Sequence, residues 1–187
     1  NDHCNVSLDS SGRSLHQRGY RTATNIAPIN EVLAAGLLLM SGWDGQCDFL
    51  DPMCGSGTML TEAAMIACNI PVNINRKEFA FEKWHDFDQD LFEKIIEVSL
   101  NKVREFHYKI VGYDKAPSAV RKATDNVENA NLSEYISVER KNFFHTEKFT
   151  EDKLHMVFNP PYGERLNLDM EDFYASIGDT LKQKYPG

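Results

Sequence analysis

The sequence of 187 residues has few of the features that mark export, membrane insertion or disulfide bonding. Its longest apolar run, Val32 to Met40, is too short to span a bilayer. The N-terminus carries no basic segment followed by an apolar one, as a signal peptide does. No two cysteines form a CxxC pair, and no histidine stands at a metal-ligand spacing from Cys4, Cys47, Cys54 or Cys68. We therefore expect free thiols, no bound metal, no membrane segment and a cytoplasmic location.

Positive charge is also scarce, since 20 Lys and Arg face 28 Asp and Glu and give a net charge of -8. A chain of this charge is poorly suited to holding a nucleic acid backbone by itself, so an RNA substrate would need affinity from elsewhere. One local exception is the N-terminal stretch with Arg13, His16, Arg18 and Arg21. A phosphate contact and a solvated hairpin face both explain that stretch.

Strand and helix patterns alternate along the chain. Apolar and polar residues alternate over Cys4–Leu8 before a glycine turn, which predicts a β-hairpin. Pro28–Met40 predicts a helix that is apolar almost all round and therefore well buried. Predicted strands at 47–51, 109–114, 135–139 and 154–158 alternate with helices at 58–68, from 117, and at 172–184. This order predicts an α/β fold with a doubly wound parallel sheet.

The domain organisation follows from the same patterns. The hairpin and first helix, residues 1–45, are expected to pack on a core of residues 46–187. Residues 70–107 interrupt the α/β rhythm and are interpreted as an insertion, with a helix from Gln89 to Glu105.

The first candidate site is the segment 51–58, DPMCGSGT, between a predicted strand and helix. Its glycines let the backbone approach a ligand, and the helix start offers free N–H groups. It lacks the third glycine of a dinucleotide loop, because Leu60 stands there, and it lacks the Gly-Lys-Ser/Thr of a P-loop. The form that remains is that of a loop for S-adenosylmethionine (SAM).

Two further strand ends add candidate ligand contacts. Asp114 ends the next strand, where a carboxylate can accept both hydroxyls of a ribose. Asn142 and Phe143 follow the third strand, where an amide could bond an adenine amine and a ring could pack on the base. For Phe144 a place in the core is an equally good interpretation.

The segment 159–162, NPPY, is the most specific motif in the chain. Its two prolines fix the backbone and remove two N–H donors, which leaves carbonyls free to accept hydrogen bonds. The Asn159 amide oxygen and the Pro160 carbonyl can hold the two hydrogens of a flat amine. Tyr162 can stack on the ring that carries the amine. Methyl transfer then depends on positioning more than on a strong base.

Four segments together resemble the THUMP-associated RNA guanine-N2 methyltransferases: 15–21 (LHQRGYR), 27–28 (AP), 51–58 and 159–166 (NPPYGERL). The NPPY loop alone is shared with DNA adenine and protein glutamine methyltransferases. The segments 18–21 and 163–166 favour the RNA guanine group. The resemblance spans nearly the whole chain.

The resemblance implies a Rossmann-like, SAM-dependent methyltransferase fold whose last strands and RNA-binding THUMP region lie outside this chain. It implies transfer to the exocyclic N2 amine of a guanine in 23S ribosomal RNA of the large subunit. Asn159, Pro160 and Tyr162 would hold the base. The cofactor would contact Pro28, Asp51, Pro52, Gly55, Gly57, Asp114, Lys115, Asn142, Phe143 and Asn159.

Alternatives stay open at this point. Many relatives have Asp where this chain has Asn142, which puts the adenine contact in question. The same loop would serve an adenine-N6 or protein glutamine-amide methyltransferase, and a non-catalytic SAM- or RNA-binding module is the alternative outside enzymes. Such a module would not need Asn159 and Tyr162, so their presence favours an enzyme.

Overall fold

The computed structural model describes residues 3–21, 28–161 and 170–186. Within these ranges the regular elements are α1 Glu31–Met40, β1 Asp48–Asp51, α2 Thr58–Cys68, α3 Gln89–Leu100, β2 Ile110–Asp114, α4 Pro117–Asn129, β3 Ile136–Arg140, β4 Leu154–Met156 and α5 Met170–Lys184. Short 3₁₀ helices cover Ala80–Lys83 and Phe143–His145. The predicted alternation of strands and helices after residue 46 is confirmed, with shifts of one to a few residues at the ends.

The four strands form one parallel sheet in the order β3-β2-β1-β4. Leu50 of β1 is paired with Val111 of β2 on one side and Met156 of β4 on the other. The predicted α/β fold is therefore confirmed. Because all four strands run the same way, their carboxyl ends meet at one edge of the sheet.

Both faces of the sheet are covered, as a parallel sheet requires. Phe49 and Ile110 belong to the main core, which the buried sides of α1, α2 and α4 complete. Their neighbours along the strands, Leu50 and Val111, pack on the opposite face with Tyr185, which follows α5. The alternation along each strand therefore divides the core into two layers.

Helix α2 lies very close to the sheet. Its small residues Ala63, Ala64 and Ala67 are all buried, which lets the helix backbone approach its neighbours. At β2 the contact is so tight that a Cβ added to Gly112 would lie 2.3 Å from the Leu60 side chain. The fit between α2 and β2 thus requires a glycine at residue 112.

The predicted N-terminal β-hairpin is wrong. Residues 3–21, all of which the structure describes, contain no strand, and Val6 and Leu8 are 89% and 83% exposed. Carbonyl groups that would pair the two strands of a hairpin accept hydrogen bonds from residues 76 and 80 instead. The Arg76 guanidinium donates to the carbonyls of Ser11 and Arg13, and the backbone N–H of Ala80 donates to Ser11.

The predicted burial of the first helix is also wrong. Helix α1 begins at Glu31, with the Asn30 side chain capping its first turn, so Pro28 precedes the helix instead of opening it. Its buried apolar residues are Ala34 and Leu38. Side chains on the other faces are at least half exposed: Val32, Leu33, Leu39 and Met40. The face with Ala34 and Leu38 packs on α2 and the main core, and most of the remaining apolar surface of α1 is exposed.

The region 70–107 carries its own small aromatic cluster. Helix α3 ends at Leu100, earlier than the predicted Glu105, and has no fully buried residue. Its Phe92 packs edge-on against Phe81, at a ring distance of 5.3 Å, and contacts Phe79 and Phe87. The interpretation of this region as an insertion stays a prediction.

A buried ion pair fixes the N-terminal segment on α2. Glu62 is completely buried, and its carboxylate accepts from Arg18 Nε at 3.3 Å and Nη2 at 3.4 Å. Arg18 Nη1 donates to the Leu15 carbonyl at 3.1 Å. Burial raises the pKa of the Glu62 carboxyl, and the Arg18 guanidinium opposes that rise. Loss of either partner would leave a charge without solvent and without a counter-ion.

We predict that Arg18→Met lowers the free energy of unfolding by about 3–5 kcal/mol, because it leaves Glu62 buried and unpaired. The double variant Arg18→Met/Glu62→Leu should recover most of that loss, since it removes both charges. Urea unfolding followed by circular dichroism measures both effects. Arg121→Met, an exposed arginine on α4, is the control and should stay within about 0.5 kcal/mol of the parent. A near-neutral Arg18→Met would contradict the assigned pairing.

Candidate active site

The polar residues singled out by the sequence gather at the carboxyl edge of the sheet. Asp51 and Asp114 are the last residues of β1 and β2. Asn142 follows β3 by two residues, and Asn159 follows β4 by three. In open parallel sheets this edge is where ligands bind. The sheet therefore brings the predicted strand-end residues to one side of the molecule.

The glycine loop has the backbone conformation that its sequence predicts. Gly55 and Gly57 have φ angles of +56° and +81°, which disfavour any residue with a side chain. Gly57 is the N-cap of α2, and a Cβ there would lie 3.2 Å from the Cβ of Ala123. Pro52, at the start of the loop, is buried. A ligand at Gly55 can thus approach the main chain and the first turn of α2.

Strand β2 and helix α4 hold this loop in place. The Cys54 N–H donates to the Tyr113 carbonyl at 2.9 Å, and the Gly55 N–H donates to Asp114 Oδ2 at 3.1 Å. From α4, Asn126 Nδ2 donates to the Ser56 carbonyl at 3.0 Å. Asn126 was not predicted from the sequence, although a polar residue within the apolar stripe of a helix is a signal for such a role.

The two acids of the site differ in environment. Asp51 is 3% exposed, and its Oδ1 accepts from the Met53 N–H at 3.1 Å. Burial, with a smaller contribution from the charge of Asp114, raises the pKa of Asp51 to about 7. Asp114 is half-buried, and its Oδ1 accepts from the Ala116 N–H at 2.8 Å. A cation or hydroxyl groups placed here would stabilise these carboxylates.

Cys54 is structural in this arrangement. Its side chain is 6% exposed and lies against Gly112, where an added Cβ would be 3.1 Å from its Sγ. Burial, and then the nearby Asp51, raise the pKa of the thiol. A protonated, buried thiol is a poor nucleophile, so the loop acts through its backbone.

Of the two residues predicted to contact adenine after the third strand, only Asn142 is accessible to a ligand. Asn142 is exposed, and its Oδ1 accepts from the Phe144 N–H at 3.3 Å. The expectation that the Phe143 ring packs on a ligand is wrong, because that ring is 2% exposed and packs in the core with Phe173. Phe144, left open by the sequence, is half-buried.

The predicted catalytic loop is partly described. Asn159 is exposed, and among the described residues its side chain has no hydrogen-bond partner. Pro160 is half-buried beside it, while Val157 and Phe158 pack into the two core layers and fix the base of the loop. Tyr162 lies outside the described residues.

Two predicted cofactor residues lie apart from these contacts. Lys115 is exposed after Asp114, and its carbonyl accepts from Arg140 Nε at 3.4 Å. Pro28 lines a cleft of about 830 Å³ beside the start of α1. The cleft adjoins the glycine loop, because Arg21 in its wall donates to Thr58 Oγ1 at 2.8 Å.

Within residues 3–21, 28–161 and 170–186, no three His, Cys, Asp or Glu side chains form a group that could hold a metal ion. The described helices include none long and apolar enough to cross a membrane.

Comparison with known proteins identifies relatives over the whole chain. The family model UPF0020, described as an RMKL-like methyltransferase domain, matches residues 18–187. The chain is 38% identical over its full length to a Synechocystis sp. protein named "Putative RNA methyltransferase slr0064", of which it spans 49%. It is 40% identical over 96% of its length to the ribosomal RNA large subunit methyltransferase K/L of Hahella chejuensis, of which it spans 27%. The chain thus spans about half or less of these relatives.

Solved structures agree with the sequence relatives. The structure described as "SMU.472, a putative methyltransferase complexed with SAH" superposes with a TM-score of 0.85 at 34% identity, over 94% of this chain and 46% of that one. A structure from Listeria monocytogenes, described as a predicted N6-adenine-specific DNA methylase, has a TM-score of 0.84 at 35% identity. It covers 93% of this chain and 46% of that one. The predicted Rossmann-like methyltransferase fold is confirmed.

The raised pKa of Asp51 predicts a pH dependence of stability. A carboxyl group that titrates near 3.8 when unfolded and at about 7 when folded favours folding most at low pH. We expect the stability of the parent chain relative to Asp51→Asn to fall as pH rises from about 4 to about 7, by at most roughly 4 kcal/mol, and then to level off.

Urea unfolding of both chains at pH values from 4 to 8 measures this difference. Asp152→Asn, which alters an exposed carboxylate before β4 at the opposite edge of the sheet, is the control. A stability difference between parent and Asp51→Asn that stays constant over this range would show that Asp51 is ionised throughout.

Proposed function

The chain belongs to the UPF0020 family of RMKL-like methyltransferase domains, and from this premise we propose that it transfers a methyl group from SAM to an exocyclic amine of RNA. One observation carries the proposal. The glycine loop after β1 and the Asn159 loop after β4 stand at the carboxyl ends of two strands that are paired in the sheet. A methyl donor held by the first loop therefore lies next to an acceptor held by the second.

The residues present fit a SAM cofactor. Gly55 and Gly57 open the backbone to the methionine part, and the buried Asp51 offers a carboxylate that a neighbouring ammonium would stabilise. Pro52 shapes the same turn. The cofactor supplies a methyl group on a positively charged sulfur. The solved relative at 34% identity is described in complex with SAH, the demethylated form of this cofactor.

The rest of the cofactor would extend along the sheet edge. The Asp114 carboxylate, already accepting from two backbone N–H groups, has further lone pairs for ribose hydroxyls. Lys115 borders this position. Asn142 would meet the adenine, with the exposed part of the Phe143–His145 turn beside it in place of the buried Phe143 ring.

The acceptor amine would be held by the loop after β4. The exposed Asn159 amide oxygen and the Pro160 carbonyl accept the two amine hydrogens, and Tyr162 stacks on the base. This arrangement directs the nitrogen lone pair at the methyl group. Proximity and orientation then supply most of the rate enhancement, and the displaced proton leaves from a cationic, acidic amine after transfer. A target base within folded RNA must be extruded to reach the site.

The target we favour is the N2 amine of a guanine in 23S ribosomal RNA, in a soluble cytoplasmic enzyme. Support comes from the segments 18–21 and 163–166 and from the K/L relatives, which are named for large-subunit ribosomal RNA. Those relatives are much longer than this chain, so an RNA-binding THUMP region outside it would supply most of the grip. Adenine-N6 transfer is the second candidate, because a solved relative at 35% identity is described as a predicted adenine-specific DNA methylase.

We expect Asp114→Asn to weaken the binding of SAH about ten- to a hundredfold, since hydrogen bonds to a charged group contribute roughly 1.5–3 kcal/mol. Calorimetric titration with SAH measures the affinity. The control Asp152→Asn makes the same chemical change at the far edge of the sheet and should leave the affinity unaltered. If the parent chain gives no binding heat at high SAH concentration, the assigned cofactor site is wrong.

We expect Asn159→Ala to slow methyl transfer roughly a hundredfold, because a base misplaced by about 1 Å loses that much rate. Its affinity for SAH should stay within twofold, since the glycine loop and Asp114 are untouched. The measurement is single-turnover transfer, with enzyme in excess, to ribosomal RNA from cells lacking the gene. The matched control is Asn5→Ala, which changes an exposed asparagine near the start of the chain.

The same reaction identifies the target. Nucleoside mass spectrometry of the product should show N2-methylguanosine in place of N6-methyladenosine. Normal single-turnover rates for Asn159→Ala would show that this residue is structural, and methylated adenosine would transfer the assignment to the second candidate.

A further inference from the structure

A cleft beside the candidate active site is basic although the chain as a whole is acidic. Four basic side chains line it: Arg13, Arg21, Arg76 and Lys77. We call it the basic cleft. Its volume of about 830 Å³ is far larger than the roughly 30 Å³ that one water occupies, and it is within the range of ligand sites. Its walls come from residues 13–21, from the start of α1 and from residues 75–78.

The acids in the basic cleft are already neutralised. Glu31 pairs with Arg21 at 2.9 Å, and Glu78 pairs with Lys83, which lies outside the lining, at 3.0 Å. Arg13, Arg76 and Lys77 form no ion pair among the described residues, and only weaker interactions at longer range link Arg76 to Asp9 and Arg13 to Glu78. The lining thus holds four basic side chains against two acidic ones. The cleft therefore keeps a net positive charge within a chain of net charge -8.

Arg76 holds its charge at a fixed place. Its guanidinium donates to backbone carbonyls of Ser11 and Arg13, and its Nε donates to the Glu78 carbonyl at 3.0 Å. The ring of Phe79 stacks against it at 4.8 Å. Carbonyls and a ring orient this cation without cancelling it, whereas Arg13 and Lys77 are exposed and can adjust to a ligand.

Two residues that line the basic cleft also carry buried polar atoms without partners. Among the described residues, four buried side-chain atoms lack any hydrogen bond: Tyr20 Oη, Arg21 Nη1, Asn73 Oδ1 and Asn75 Nδ2. Arg21 and Asn75 line the cleft, and Tyr20 and Asn73 stand within two residues of the lining. Three of the four atoms can donate. Two of these donors, Arg21 Nη1 and Asn75 Nδ2, belong to lining residues, and a small movement of either side chain would bring it to an acceptor in the cleft.

We propose that the basic cleft binds backbone phosphates of the RNA strand whose base enters the active site. The inference rests on the proposed function, to which it adds a second point of substrate contact. Arg21 links the two sites directly, because its Nη2 bonds Thr58 Oγ1 at the first residue of α2 while its Nε pairs with Glu31. Phosphates bound there would fix the strand at a set distance from the glycine loop, as phosphate contacts generally fix register.

An RNA strand fits this cleft better than the cofactor does. The SAM sulfonium and ammonium are cations, and the acids Asp51 and Asp114 that suit them lie at the sheet edge, outside the lining of the cleft. The one anionic group of SAM, its carboxylate, could neutralise only one of the four basic side chains that line the cleft. The exposed position of Arg13 and Lys77 suits a chain that continues past the cleft in both directions. A free phosphate or mononucleotide shares the anionic chemistry, and the test separates it from RNA.

The test compares two double variants of this chain. Arg13→Gln/Lys77→Gln removes two charges from the basic cleft, and Lys109→Gln/Lys153→Gln removes two exposed charges before β2 and β4 at the opposite edge of the sheet. Fluorescence anisotropy with a short labelled single-stranded RNA of mixed sequence gives the affinity at several salt concentrations. Calorimetry with SAH and with inorganic phosphate is run on the same proteins.

We expect the affinity of the cleft variant for RNA to be about tenfold lower at low salt. The slope of log affinity against log salt should become shallower by between about one and two, because two phosphate contacts are lost. The control variant should keep the parent slope, and SAH affinity should be the same in all three proteins. Equal RNA binding by both variants overturns the inference but leaves the proposed function standing, since SAH binding and methyl transfer test that separately.

Two other results would also overturn it. A loss of SAH affinity in the cleft variant would assign the cleft to the cofactor. Inorganic phosphate binding that depends on Arg13 and Lys77, without a matching loss of RNA affinity, would assign the cleft to a small anion.

Discussion

A single buried charge constrains the N-terminal third of this fold. Glu62 enters the core on α2 with no access to solvent, so its carboxylate needs a cation, and Arg18 supplies one from a segment without regular secondary structure. Once Arg18 is fixed, the chain must pass through Gly19, whose φ is +98° and where an added Cβ would lie only 2.5 Å from the Asn75 carbonyl oxygen. Tyr20 and Arg21 are thereby set against α1 and the first turn of α2, and the walls of the basic cleft follow from this path.

At the sheet edge, close packing around two glycines fixes the conformation of the glycine loop. Gly112 lets Leu60 and Cys54 lie directly on β2, and Gly57 lets α2 begin against Ala123 of α4. The glycine loop therefore rests on β2 and α4, and its hydrogen bonds with Tyr113, Asp114 and Asn126 orient its carbonyls and N–H groups. A ligand meets a loop whose conformation is already determined, which lowers the entropy that binding must overcome.

Sequence patterns predicted the parts of this molecule that depend on local chemistry. The glycine loop, the helix Thr58–Cys68 and the strand-end acids follow from periodicity and from the few residues that can adopt positive φ. The hairpin failed because the carbonyls of residues 10–14 bond a segment more than 60 positions away, which no local pattern reports. The burial of α1 failed because a helix pattern cannot state which faces have neighbours. The prediction for the Phe143 ring failed because residues of α5 cover that ring. Helix α5 lies far along the chain, so the motif after the third strand does not indicate this burial.

Under the proposed function, the distribution of charge would separate two ligands of opposite sign. SAM carries positive charge at its reacting sulfur, and RNA carries one negative charge per nucleotide. Acids that favour the cofactor would repel the substrate backbone if both shared one surface. Here Asp51 and Asp114 are buried or half-buried within the sheet edge, while the uncompensated cations stand on the N-terminal wall beyond Thr58. In this proposal the acids would act at short range within a shielded pocket, and the cations would act at the exposed surface where the RNA backbone would bind. An acidic chain can therefore take RNA as substrate, provided that the backbone approaches from the side of the basic cleft and only the base reaches the sheet edge.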